Sequence, residues 1–272
     1  MNKYQKFIAK HKMLATLLYA AIVWAVEVLW ILFLVPSIPF VVLVVILSSL
    51  IIILHINNCQ LKPHNAAIKM LDNYCDPMPL YEITEFLLGC KNNKSAKLLF
   101  TFNHCVALQE MGKAEQAIET IKALKIEKQE KIHPQFKCVY YHNLSSLYTA
   151  INEYVLADEA YNNLTLLYNN VKNKKLTKLM ENPFLSSTAL YYYRNENYNE
   201  TIATLEKIPK TTLRPDVHNA LLYARTYLKL GDIEKAKDKL IFVIANGNKL
   251  ASVNEARELL KQTPYSSYLN VL

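Results

Sequence analysis

The chain has 272 residues, a formal net charge of +8, four glycines and five cysteines. That length holds a membrane element plus one domain of roughly 200 residues. Scarce glycine argues against phosphate-cradling loops, and an odd set of cysteines spaced 16, 15, 15 and 33 apart argues against a disulfide framework or a structural zinc site.

Residues 1–12 form a basic arm with Lys3, Lys6, Lys10 and Lys12, and two apolar runs follow, 13–35 and 38–56, separated at Pro36-Ser37-Ile38-Pro39. Runs this long and apolar read as membrane-spanning helices rather than core helices. The first reaches about 34 Å and the apolar part of the second about 26 Å, against about 30 Å of hydrocarbon. The joint is too short to cross anything, so a transmembrane hairpin is expected. A cleaved signal peptide fits less well, because the first run exceeds an h-region and a second run follows at once. Lysines flank the hairpin on the arm and at Lys62 and Lys69, while the joint is uncharged. That asymmetry predicts a two-span cell-membrane protein with both termini cytoplasmic.

Glu27 is the one formal charge within the runs, and an ionised carboxylate in hydrocarbon is expensive. It is read as protonated or paired within the hairpin, or as part of a self-association interface. Transport is disfavoured, since neither run offers a basic partner. Ser48 and Ser49 are the small polar residues able to donate to it.

Residues 57–272 are expected to form one cytosolic all-α domain. An amphipathic helix over 63–74 carries Ala66, Ala67, Met70, Leu71 and Tyr74 at spacings of three and four, and Pro77 and Pro79 end it. A short helix over 80–88 stops at Gly89, and Ser95 is the expected N-cap of the next. Helix pairs then recur: 96–109 with 114–124, 136–148 with 154–168, 185–193 with 197–208, and 216–230 with 233–245. A basic linker over 169–178 interrupts them, and a last helix covers 250–262. Antiparallel pairs at such intervals predict an α-solenoid.

The run Tyr223-Ala224-x-x-Tyr227-Leu228-x-x-Gly231-Asp232-x-x-x-Ala236-x-x-x-Leu240-x-x-Val243 resembles a tetratricopeptide repeat. Weaker copies surround Gly112 (with Cys105, Leu108, Ala117 and Ile121), Asn152 (with Leu144, Ser145, Tyr148, Ala157, Tyr161 and Leu164) and Glu196 (with Ala189, Tyr192, Leu205 and Ile208). The turn positions 112, 152, 196 and 231 are spaced 40, 44 and 35, against about 34 in that family. The resemblance covers residues 96–248 and implies close helix approach where Cys105 meets Ala117, Ser145 meets Ala157 and Ala224 meets Ala236. It also implies a concave face, lined by the first helix of each pair, that binds a peptide or protein. Carried onto this chain, that face includes Asn103, Tyr140, Asn143, Ser146, Arg194 and Arg225. The two asparagines share one repeat position, and the two arginines supply positive charge.

No Gly-rich nucleotide loop, metal-binding helix motif or nucleophile elbow is present, and no two histidines have metal-ligand spacing. Glu110, Glu115 and Glu119 beside Lys113 and Lys122 read as solvated surface. The basic segments have no interleaved aromatic platform, so nucleic acid is not an expected partner. No enzyme activity, metal or cofactor is expected. The sequence predicts a membrane-anchored scaffold that recruits a protein or peptide to the cytoplasmic face. The alternatives are a peptide-binding regulator and a subunit that contacts lipid or shapes the membrane.

Overall fold

The computed structural model describes residues 1–34, 38–128 and 132–270. Regular structure among them is entirely helical. Of the expected joint, Pro36 and Ser37 lie outside these residues, while Ile38 and Pro39 fall within the following helix.

Helix α1 (Lys3–Lys10) opens on a reciprocal cap. The Gln5 amide donates to Asn2 Oδ1 at 2.8 Å, and the Asn2 amide donates to Gln5 Oε1 at 3.1 Å. Helices α2 (Lys12–Leu34) and α3 (Ile38–Tyr74) pack against each other. Glu27 is turned into that contact, 9% exposed, and Ser48 Oγ donates to its Oε1 at 2.8 Å. Nearer the arm, the Tyr4 hydroxyl meets the Tyr19 hydroxyl and lies 2.8 Å from His55 Nε2. Ile8, Ala15, Ile52, Ile56 and Cys59 pack together beside them. The arm is therefore docked where the apolar runs meet the rest of the chain.

Helix α3 runs unbroken through Pro63, so the second apolar run and the helix expected over 63–74 are one rod of 37 residues, about 55 Å long. Proline inside a helix forfeits one backbone hydrogen bond. Tertiary packing on both sides of it overrides that cost, with Cys59, Gln60, His64, Ala67 and Leu71 all buried. Farther along, Ala67, Leu71 and Cys75 form a core with Leu80, Ile83 and Leu87 of α4 (Met78–Leu88) and with Ala9 of the arm. One helix thus serves as an apolar rod at one end and a core helix at the other, with no linker between.

Four helix pairs follow: α5 (Lys94–Glu110) with α6 (Ala114–Lys122), α7 (Pro134–Ala150) with α8 (Tyr154–Asn170), α9 (Lys174–Arg194) with α10 (Tyr198–Leu205), and α11 (Leu213–Leu230) with α12 (Ile233–Asn246). Helix α13 (Ala251–Lys261) ends the array. Their turns share one geometry. Gly112, Asn152, Glu196 and Gly231 have φ of 77°, 61°, 60° and 77°. The next amide in each case bonds back to the carbonyl five residues earlier at 2.9 Å: Lys113 to Leu108, Glu153 to Tyr148, Asn197 to Tyr192, Asp232 to Tyr227. This is the left-handed helix stop that satisfies orphan carbonyls. Only two of the four positions carry the glycine that makes it unstrained. The paired small residues Cys105 and Ala117, Ser145 and Ala157, and Ala224 and Ala236 are all buried, and Cys105 Sγ lies 3.4 Å from the Ala117 carbonyl.

Two local expectations change. Asn93, rather than Ser95, caps α5, accepting from the Ala96 amide at 2.8 Å. The linker expected over 169–178 is helix apart from residues 171–173, because Asn173 accepts from the Lys175 and Leu176 amides and starts α9 early. No gap opens there, and Cys138 of α7, Leu164 of α8 and Met180 of α9 share one core.

The array also closes on its own beginning. Helix α11 packs on α3, and α13 packs on α5. The Lys249 amide donates to the Cys75 carbonyl at 3.2 Å, Asn248 Nδ2 donates to the Tyr74 carbonyl at 2.8 Å, and Lys249 Nζ lies 2.6 Å from Asp76 Oδ2.

Candidate functional site

The closure gathers charge on the inner face. Arg214, in the first turn of α11, donates to Asp72 of α3 at 2.8 Å and to Glu110, the last residue of α5, at 3.1 Å. One turn later, His218 Nε2 lies 2.8 and 2.9 Å from the two Glu110 oxygens. The Glu110 side chain is 5% exposed. Burial alone would raise its pKa, but His218 and Arg214 overrule burial and hold the carboxyl at about 2. Glu110 therefore belongs to a buried ion cluster and not to the solvated surface expected for it.

Neutral contacts extend the cluster across the first helices of the pairs. Gln109 Nε2 of α5 donates to Ser146 Oγ of α7 at 2.6 Å, and His142 Nδ1 of α7 lies 2.8 Å from Ser187 Oγ of α9. Burial, reinforced by the charge of Arg214, pushes His142 down to about 4, so it is neutral near pH 7. Gln109, His142, Ser146 and His218 remain half-exposed. They form a polar strip of hydrogen-bonding side chains that solvent reaches.

Of the six residues expected to line a groove, Ser146 joins this strip. Asn103 Nδ2 instead donates to His64 Nε2 of α3 at 3.0 Å; burial lowers the pKa of that imidazole and keeps it a neutral acceptor. Tyr140 is 1% exposed, and its hydroxyl donates to Glu127 at 2.9 Å. Asn143 is buried, with no hydrogen-bond partner for Nδ2 among the described residues. Arg194 is locked onto Asp158 at 2.6 and 2.9 Å and onto Thr149 at 2.8 Å, and Arg225 grips both carboxylate oxygens of Glu255. Neither guanidinium is free. Both charges are met by carboxylates within the fold.

Asp72 and Arg214 were not singled out from the sequence. The one local signal was the pair of cationic-capable side chains Arg214 and His218, four apart on one face of α11. A separate, mostly apolar cleft of about 330 Å³ lies between the arm and α4, lined by Lys6, Ala66, Met70, Ile83 and Phe86 among others. Among the described residues no group of three or more His, Cys, Asp and Glu side chains is placed to hold a metal ion. Comparison with protein-family models, with characterised proteins and with solved structures finds no match for this chain.

Proposed function

We propose that this chain is a membrane-anchored interaction scaffold whose tetratricopeptide-like domain holds a protein or peptide partner at the cytoplasmic face. The observation that carries the anchor is exposure. Windows of α2 and α3 with mean hydropathy of 1.9 and 2.3 are only 11% and 17% buried, whereas an apolar core helix buries most of its surface. Leu17, Ile22 and Val26 of α2 and Leu43, Ile46 and Leu50 of α3 all face outward. So much exposed apolar surface calls for a hydrocarbon environment. Helix pairs that carry a solvent-reached polar strip support the scaffold reading. Photo-crosslinking from Ser146 and, as a control, from the exposed outer residue Leu166 in native membranes tests the scaffold reading. One dominant protein captured from Ser146 alone is expected. Equal, diffuse labelling from both positions counts against it.

A second reading, a membrane-linked regulator, is favoured by one feature. Helix α3 carries both the second apolar run and Asp72, the residue that Arg214 holds across the closure. Rotation or piston motion of α3 would act on that contact without an intervening linker.

A further inference from the structure

The membrane-facing end of the domain has an unbalanced charge. Between Met1 and Leu71 every formal charge except Glu27 is a lysine, and residues 86–109 carry no acid at all. The topology brings the arm and the end of α4 to one end. Helix α2 returns alongside α3, with Tyr19 beside His55 and Glu27 beside Ser48. From the far end of α3, α4 runs back, so that Leu87 packs in one core with Ala9 of the arm. The end of α4 therefore lies on the same side of the domain as α1. Lys6 Nζ of the arm lies over the Phe86 ring near the end of α4, 5.9 Å from its centroid, which places the arm beside this turn.

Lys3, Lys6, Lys10, Lys62, Lys91 and Lys94 are all exposed, and none forms an ion pair among the described residues. Tyr4 and Phe7 of α1, 47% and 45% exposed, lie between the arm's lysines, while Ile8 and Ala9 anchor the opposite side to the protein. A short helix fixed at the base of an apolar hairpin, with its lysines and Phe7 exposed, matches the interfacial layer of a bilayer.

We propose that α1 and the α4–α5 turn form a cationic collar that binds the headgroups of anionic lipids around the hairpin. The collar holds the domain against the bilayer surface through Lys3, Lys10, Lys91 and Lys94, with Phe7 inserted at the headgroup level. This rests on the membrane reading above and extends it to a ligand class.

The test uses the full chain in neutral detergent with phosphatidylglycerol and phosphatidylcholine offered together, and native mass spectrometry reads the lipid retained. Phosphatidylglycerol enriched about tenfold, and lost when Lys3, Lys10, Lys91 and Lys94 are together changed to Gln, is the expected result. A photo-crosslinker at Phe7 in the otherwise unchanged chain gives a second readout, expected to label lipid headgroups. Equal retention of the two lipids by the unchanged chain, or labelling of protein alone from Phe7, overturns the collar. So does duplex RNA that displaces the anionic lipid, which would assign the lysines to nucleic acid. Release of the chain from membranes by alkaline carbonate would instead refute the membrane reading itself.

Discussion

Replacing Glu110 with Gln removes the charge on which the closure turns while keeping its shape. The folded protein holds this carboxyl at about 2, against an ordinary value of 4.5. That difference corresponds to about 3 kcal/mol favouring the ionised, folded form. Deleting one member of a buried ion cluster costs a comparable amount, roughly 3–5 kcal/mol. The sign follows from a depressed pKa: the stabilisation is complete above about pH 4.5 and disappears as pH falls toward 2. Urea unfolding of the full chain in detergent, followed by far-ultraviolet circular dichroism, should show Glu110→Gln less stable by about 3 kcal/mol at pH 7. The gap should narrow steadily in acid, because the wild-type carboxyl becomes protonated and comes to resemble the amide. A gap below about 0.5 kcal/mol at pH 7, or one unchanged by acid, would refute the reasoning and with it the role of Glu110 in closing the domain.

Glu196 occupies the left-handed turn region at φ 60°, where a side chain costs about 1–2 kcal/mol; Glu196→Gly should raise urea stability by about 1 kcal/mol. Gly247→Ala should do the opposite, by about 1–3 kcal/mol, because its Cβ would meet Val253 Cγ2 at 2.4 Å and the Val243 carbonyl oxygen at 2.7 Å. Glu27 faces Ser48 within the same hairpin, so Glu27→Leu should leave the mass distribution in detergent unchanged; a shift there would instead assign Glu27 to self-association.

What the sequence made legible is what short-range chemistry decides. Periodicity revealed the pairs, and the turn positions 112, 152, 196 and 231 could be aligned although Asn152 and Glu196 replace glycine. The buried small residues followed from the same alignment. Helix ends moved where a side-chain cap sets them: Asn93 starts α5 and Asn173 starts α9, which removed an expected linker. The unbroken passage of α3 through Pro63 was hidden because proline's local cost was read without the packing that overrides it. The closure was hidden for a different reason. Arg214 lies 142 residues from Asp72 and 104 from Glu110, and no local pattern encodes a contact at that range. Arg194 and Arg225, expected to supply positive charge, meet the carboxylates of Asp158 and Glu255, 36 and 30 residues away.

The proposed function depends most on α2 and α3 lying in a bilayer with the helix-pair domain outside it. Alkaline carbonate extraction of native membranes, combined with protease treatment of vesicles that expose their cytoplasmic face, tests this directly. The full chain is expected to stay in the membrane pellet, and protease to remove the domain while sparing the apolar hairpin. Recovery of the intact chain in the carbonate supernatant, or protection of the domain from protease at the cytoplasmic face, would contradict it.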